Sequence, residues 1–223
     1  MVKAVIFDMY ETLITLYNSE LYKGKQIAAD MKLPEPKFRE IWDASDDDRT
    51  LGTRSFEDVI TEILNANGIF EKELFEKIIK KRYSCTAEAF CHKDPDIIPM
   101  LRVLKEKGIK IGLITNCYFE ERDAIKNCDM YEYFDCLCMS CEIGIKKPDL
   151  KVFDLCAEKL GVNAEECLYV GDGGSNELQA AKAAGMKPLQ AVWYLREGVD
   201  QPCGKMDEFD QAGTPLDVLS YIC

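Results

Sequence analysis

A helix that crosses a membrane needs about 20 consecutive apolar residues, and no run in this sequence approaches that length. Positive charge is scarce: 28 Lys and Arg stand against 40 Asp and Glu, giving a formal net charge of −12 and a pI near 4.7. Such a field repels polyanions, which argues against nucleic acid or an acidic membrane surface as a partner. A small anionic substrate would have to meet a local cluster of Lys and Arg. Histidine is nearly missing, with His92 as the one copy, so Cys136-x-Cys138-x-x-Cys141 has no nearby imidazole to complete a four-ligand zinc site. The strand character of Asp135 to Ser140 puts Cys136 and Cys138 on one face as small buried hydrophobes. No charged-then-apolar leader precedes Val5, so the 11 cysteines are expected to be reduced in a cytoplasmic protein. Repeats and low-complexity segments are also lacking.

What is present starts at the N-terminus. Ala4-Val5-Ile6-Phe7 is too short for a helix and lacks the polar alternation of a half-exposed strand, so it reads as a strand buried on both faces of a parallel sheet. In such sheets ligands bind beyond the carboxyl ends of the strands, and Asp8 sits at that edge. Used structurally, the same acid would cap the following helix.

From Leu13 to about Cys91 the periodicity is helical without strand signals. Tyr17-Leu21-Tyr22 leads into Ile27-Ala28-Met31, and a second segment runs from Pro36 through Trp42. Ser55 with Asp58 resembles a capping box ahead of Val59-Ile60-Ile63-Leu64, which stops at Gly68, and a further helix is expected from Glu71 to about Arg82. Asp46 to Arg54 is expected to be a polar loop. From Asp94 strands and helices alternate: a helix before Gly108, strands at Ile109–Ile114 and near Cys136–Met139, a helix from Asp149 to Leu160, the strand Cys167–Val170, a helix from Ser175 to Ala184 and a strand from about Leu189 to Trp193. The tail from Arg196 to Gly213 reads as irregular, before a short helix from Pro215 to Ile222. This alternation implies right-handed crossovers and an α/β fold, a doubly wound, Rossmann-like parallel sheet with an inserted all-α segment. The expected division is a core of residues 1–14 and 92–223 and a helical domain of residues 15–91.

Four short motifs lie at strand ends in a fixed order. They are Asp8-Met9-Tyr10-Glu11-Thr12, Leu113-Ile114-Thr115-Asn116, Lys147-Pro148-Asp149 and Gly171-Asp172-Gly173-Gly174-Ser175-Asn176-Glu177. Each is weak alone; together they resemble the haloacid dehalogenase-like (HAD) hydrolase superfamily across most of the chain. The resemblance implies that the inserted helices form a cap over the active site. It makes Asp8 the nucleophile, an aspartate that forms an acyl intermediate later opened by water. It places Asp8, the backbone carbonyl of Tyr10, Asp172 and Glu177 around a Mg2+ ion, which would neutralise charge on a transferring phosphoryl group and relieve three clustered carboxylates. Thr115 and Asn116 would serve the phosphoryl oxygens, with Thr12 beside them. Lys147, rather than adjacent Lys146, would hold Asp8 and the substrate because it precedes Pro148.

One position departs from the phosphatase pattern. Tyr10 stands where such phosphatases carry a second aspartate that protonates the leaving group. Members resembling 2-haloacid dehalogenases have tyrosine there, but they need no metal and lack the acid found here at Asp172. The expected function is therefore a Mg2+-dependent phosphatase, monomeric or homodimeric, acting on a small phosphorylated metabolite bound with help from Arg49 and Arg54. A dehalogenase using Arg39, Arg49 or Arg54 for a substrate carboxylate is the second reading, and a weakly catalytic phospho-ligand sensor the third.

Overall fold

The first strand, β1 (Ala4–Phe7), is buried along its whole length in the computed structural model, which describes residues 1–196, 201 and 203–222. The further strands are β2 (Lys110–Thr115), β3 (Cys136–Met139), β4 (Cys167–Gly171), β5 (Lys187–Ala191) and β6 (Asp210–Ala212), and all pairings are parallel in the order β3-β2-β1-β4-β5-β6. Ala4 pairs with Lys110 on one side and Cys167 on the other. Helices precede the second strand as α1 (Gly24–Asp30), α2 (Glu35–Ala44), α3 (Asp46–Thr50), α4 (Phe56–Ala66), α5 (Lys72–Ala89) and α6 (Ile97–Glu106). The rest are α7 (Phe119–Asn127), α8 (Ser140–Ile143), α9 (Leu150–Leu160) and α10 (Glu177–Ala183).

Side-chain alternation along the strands decides how the sheet is covered. Val5 and Phe7 enter one core with Ile97, Leu101 and Leu104 of α6, whereas Ala4 and Ile6 enter another with Phe153 and Cys156 of α9 and Leu178 and Ala181 of α10. Both faces are thus closed by helices, the doubly wound arrangement. Each fully buried Phe, Ile or Leu contributes about 1.5–3 kcal/mol, so a polar substitution in β1 would weaken the one layer that its side chain enters. A third core, built from residues between Tyr22 and Ile78, belongs to the inserted helices alone: Phe38 and Trp42 stack at 5.3 Å and Trp42 meets Phe56 edge-on at 6.0 Å. No helix among the described residues is long and apolar enough to cross a membrane.

Several boundaries differ from the sequence reading. Asp46–Thr50 is a short helix, α3, and not a loop, with three acids in its first turn and Arg49 in its last, both favourable to the helix dipole. The segment at Tyr17–Tyr22 is not a continuous helix into Met31; Leu16–Asn18 forms one 3₁₀ turn and α1 begins at Gly24. Helix α5 continues seven residues past Arg82, to Ala89, and α10 starts at Glu177 after left-handed Ser175 and Asn176. The last expected strand lies two residues earlier, at β5. The tail expected to be irregular holds β6, which pairs Leu189 with Asp210 and was too short and polar to announce itself. Residues 197–200 and 202 of that tail lie outside the described residues. Cys136 and Cys138 are buried on one face as expected and meet Cys156 from α9, while Cys141 turns away to Cys117, sulfur to sulfur at 3.8 Å.

Candidate active site

Strand order reverses at β1, which lies between β2 and β4, and open α/β sheets bind ligands beyond the carboxyl ends of the strands at such a point. Asp8 leaves β1 there, its N–H donating to Val170 O at 2.9 Å, and Asp172 leaves the neighbouring β4. Glu177 opens α10 and reaches back under the strand ends. Gly171 makes this approach feasible: a Cβ at that position would lie 2.0 Å from Glu177 Oε1. The carboxylates of Asp8, Asp172 and Glu177 are all buried and each offers an oxygen within 4.8 Å of the others.

Lys147 supplies the cation. Its Nζ donates to Asp8 Oδ1 and Glu177 Oε2 at 2.5 Å each, and the side chain is only 3% exposed. Asn116, just past β2, fixes the loop that carries it: Lys147 N–H donates to Asn116 Oδ1 at 2.8 Å and Asn116 Nδ2 donates to Lys147 O at 3.1 Å. One ammonium does not balance three buried carboxylates. Burial, then the charge of Glu177, push the Asp8 carboxyl up to about 8, and the same two causes push Asp172 up to about 7. The charges of Asp8 and Glu177 hold Lys147 protonated against its burial. A hard divalent cation with oxygen ligands fits this donor set and its charge deficit.

Tyr10 lines the same cavity of about 300 Å³ as Asp8, Asn116, Lys147, Asp172 and Glu177. Burial, then the charge of neighbouring Glu121, hold its phenol well above the ordinary range. The hydroxyls of Thr12 and Thr115 are buried without a hydrogen-bond partner among the described residues, and neither residue lines that cavity. Glu11, with φ +54°, is tied to Thr15 Oγ1 and Leu16 N at 2.7 Å each.

The arginines do not join this group. Arg49 is buried between the rings of Trp42 and Tyr118, donating to Ser45 Oγ, Trp42 O and Asp46. Arg54 pairs with Glu62 of α4, and neither lines the cavity around Asp8. Arg39 is held by Glu35 and Asp43 of its own helix.

Two supporting residues escaped the sequence reading. Tyr169 donates its hydroxyl to Glu177 Oε2 at 2.8 Å from within β4; the signal was a phenol in an otherwise apolar buried run, which must find a partner. Arg82, buried on α5, donates to Glu120 Oε1 at 3.0 Å and Glu121 Oε1 at 3.4 Å and so joins the inserted helices to α7. In the sequence it ends the basic run Lys80-Lys81-Arg82 and looks like a solvated face.

Known proteins resemble this chain in sequence and in fold. A protein of Clostridium perfringens named "Putative pyrophosphatase PpaX" is 32% identical over 228 residues, covering 100% of this chain and 98% of that protein. Glyceraldehyde 3-phosphate phosphatase of Methanopyrus kandleri is 35% identical over 105 residues, 47% of this chain and 45% of that protein, so this match spans less than half of the relative's length. A HAD-family enzyme of Bacteroides thetaiotaomicron, in complex with magnesium and inorganic phosphate, shares the fold with a TM-score of 0.65 at 18% identity, covering 90% of this chain and 97% of that one. The haloacid dehalogenase-like hydrolase family matches residues 2–185, the whole span from β1 through α10 that brings Asp8, Lys147, Asp172 and Glu177 together, and the chain belongs to that family of hydrolases.

Proposed function

We propose that the chain is a Mg2+-dependent phosphatase acting on a small phosphorylated molecule through an aspartyl-phosphate at Asp8, with residues 15–91 as its cap. The observation that carries this reading is the convergence of Asp172 and Glu177 on Asp8. Three buried carboxylates with one lysine are costly unless a cation joins them, and metal-free displacement of halide has no use for two of the three. Glyceraldehyde 3-phosphate phosphatase among the relatives supports phosphate ester hydrolysis.

When bound, Mg2+ would supply positive charge to the phosphoryl oxygens, held by Asp8, Asp172, Glu177 and the carbonyl of Tyr10. The chain's own residues do the rest. Lys147 counters part of the burial that raises the Asp8 carboxyl and holds it in place for attack, and the charge of a bound cation would complete its ionisation. In this reading Thr115 donates its hydroxyl to a phosphoryl oxygen, Thr12 serves the same group, and Asn116 keeps the Lys147 loop in place. Tyr10 buries the reacting bond without offering an acid matched to neutral pH.

Tyr10 is also the observation that favours a dehalogenase. Against it, no arginine among the described residues lines the cavity around Asp8: Arg39 and Arg54 are paired with carboxylates, and Arg49 is packed between Trp42 and Tyr118 with its Nη1 buried and unpartnered there. The test is ¹⁹F NMR of the protein with beryllium fluoride. A bound-fluoride signal that requires Mg2+ and disappears in Asp8→Asn is expected; its absence from folded protein at millimolar Mg2+ would refute an aspartyl-phosphate at Asp8.

A further inference from the structure

A second cavity, of about 260 Å³, adjoins the one around Asp8, and Tyr10, Leu16, Leu21 and Lys23 line both. Its walls are aromatic: besides Tyr10 they include Trp42, Phe90 and Tyr118, with Phe90 edge-on to Tyr10 at 6.3 Å. A dry apolar cavity of roughly 150 Å³ holds benzene, so this volume admits a substituted single ring.

The charged groups on its wall are already spent. Arg82 gives Nε to Glu120, Nη1 to Tyr22 O and Nη2 to Glu121. Arg39 gives Nε and Nη2 to Glu35 and Nη1 to Asp43. Each arginine faces two carboxylates, so an anionic leaving group finds no free guanidinium and would meet repulsion from Glu121. Lys23 is the lining cation without an ion pair among the described residues. It stands where the two cavities join, and the carboxylate its charge acts on, Glu11, lines the cavity around Asp8 and not the aromatic one.

Tyr10 points the same way from chemistry. With no acid to protonate it, the departing oxygen must leave as a weakly basic anion, which a phenolate does and an alkoxide does not. From the cavity and this chemistry together, we propose that the substrate is the phosphate monoester of an uncharged, single-ring aromatic hydroxyl compound, its ring lying in the cavity beside Tyr10 and Phe90. The proposal rests on the phosphatase reading. Asp8 Oδ attacks phosphorus as the bond to the aryl oxygen breaks, and the electron pair leaves with the phenolate, which takes a proton from water. A second water attacks phosphorus and breaks its bond to Asp8, releasing phosphate, and the proton it loses neutralises the hydroxide left by the first, so ester and one water become phenol and phosphate.

The test compares phenyl, benzyl, glycerol and acetyl phosphates with phosphoglycolate in Mg2+. Benzyl phosphate carries a ring but leaves as an alkoxide, which separates ring binding from leaving-group basicity. KM for the phenyl and benzyl esters should fall at least tenfold below that for phosphoglycolate, and kcat should be highest for the phenyl ester. Phenylphosphonate should inhibit the parent at least tenfold more tightly than methylphosphonate, a measurement that needs no variant. Ala89→Leu, which grows into the cavity from α5, should cut the ratio of kcat/KM for phenyl over acetyl phosphate at least tenfold. Hydrolysis of acetyl phosphate with equal KM for ring-bearing and carboxylate-bearing esters, or equal inhibition by the two phosphonates, would overturn the aromatic site and leave the phosphatase reading standing. No hydrolysis of any of the five would overturn both.

Discussion

Lys147 Nζ lies 2.5 Å from Oδ1 of Asp8, a carboxylate 139 positions away in the chain, and both side chains are buried. The contact joins the loop after α8 to the end of β1 and is the only ammonium among the three carboxylates of the site among the described residues. Removing one partner of a buried pair costs about 3–5 kcal/mol because the other charge is left uncompensated. Lys147→Met should therefore destabilise the metal-free protein by about that amount, and millimolar Mg2+ should restore part of it. Chemical denaturation with and without the ion measures this; a loss under 1 kcal/mol would mean that the lysine is not neutralising the site.

Asp8→Asn should lower turnover by at least about 10³-fold, because an amide oxygen is a poor nucleophile of nearly the same shape. The fold should survive, and circular dichroism checks it. Turnover near that of the parent in a folded variant would remove Asp8 from the nucleophile's role.

Without metal, stability should depend on pH through Asp8 and Asp172. Their carboxyls are raised from an ordinary 3.8 to about 8 and about 7, by burial first and then by the charge of Glu177. Between pH 4 and 8 the folded state thus holds more protons than the unfolded chain. Stability from these groups is present below pH 4 and is lost as pH rises through 7 and 8, by about 1.4 kcal/mol per pH unit for each proton. Mg2+ competes with those protons, so the rise in Tm it produces should grow over the same window. Thermal melts from pH 5.5 to 8.5 test the sign; a Tm increment from Mg2+ that shrinks as pH rises would contradict it.

The resemblance carried by four motifs was enough to bring Asp8, Thr115, Lys147, Asp172 and Glu177 to one edge of the sheet, because each sits within a few residues of a strand end and the buried runs before them fix those ends. The cap side was barely legible. Arg49 and Arg54 were chosen as charges in what read as a polar loop, but the direction of Arg49 on its helix depends on packing against Trp42 of the preceding helix and Tyr118 from 69 positions further on. Strand β6 was missed because three residues, Asp210-Gln211-Ala212, show neither alternation nor β-branching; only their pairing with β5 makes them a strand.

Gly171→Ala isolates the Glu177 contact. A Cβ would sit 2.0 Å from Glu177 Oε1, so the carboxylate must swing away from Tyr169 and Lys147. A cost of about 1–3 kcal/mol is expected, as for other overpacked cores, together with weaker Mg2+ binding by calorimetry. Unchanged affinity would show that Glu177 does not face the ion.

Tyr10→Asp should restore a proton donor and raise turnover of alkyl phosphates by up to the 10²–10⁴-fold typical of general acid–base catalysis, with a much smaller gain for aryl phosphates. Parallel kinetics on both ester classes read the difference. Equal gains, or a parent already efficient on alkyl esters, would show that the tyrosine is no deficit.

The reaction itself is decided by one paired assay: phosphate release from phenyl phosphate and chloride release from 2-chloropropionate, each with Mg2+ and with chelator. Phosphate should appear only with Mg2+, and chloride should not appear in either condition. Chloride released in chelator, with no phosphate released in Mg2+, would mean that Asp8 attacks carbon and that Asp172 and Glu177 hold no ion.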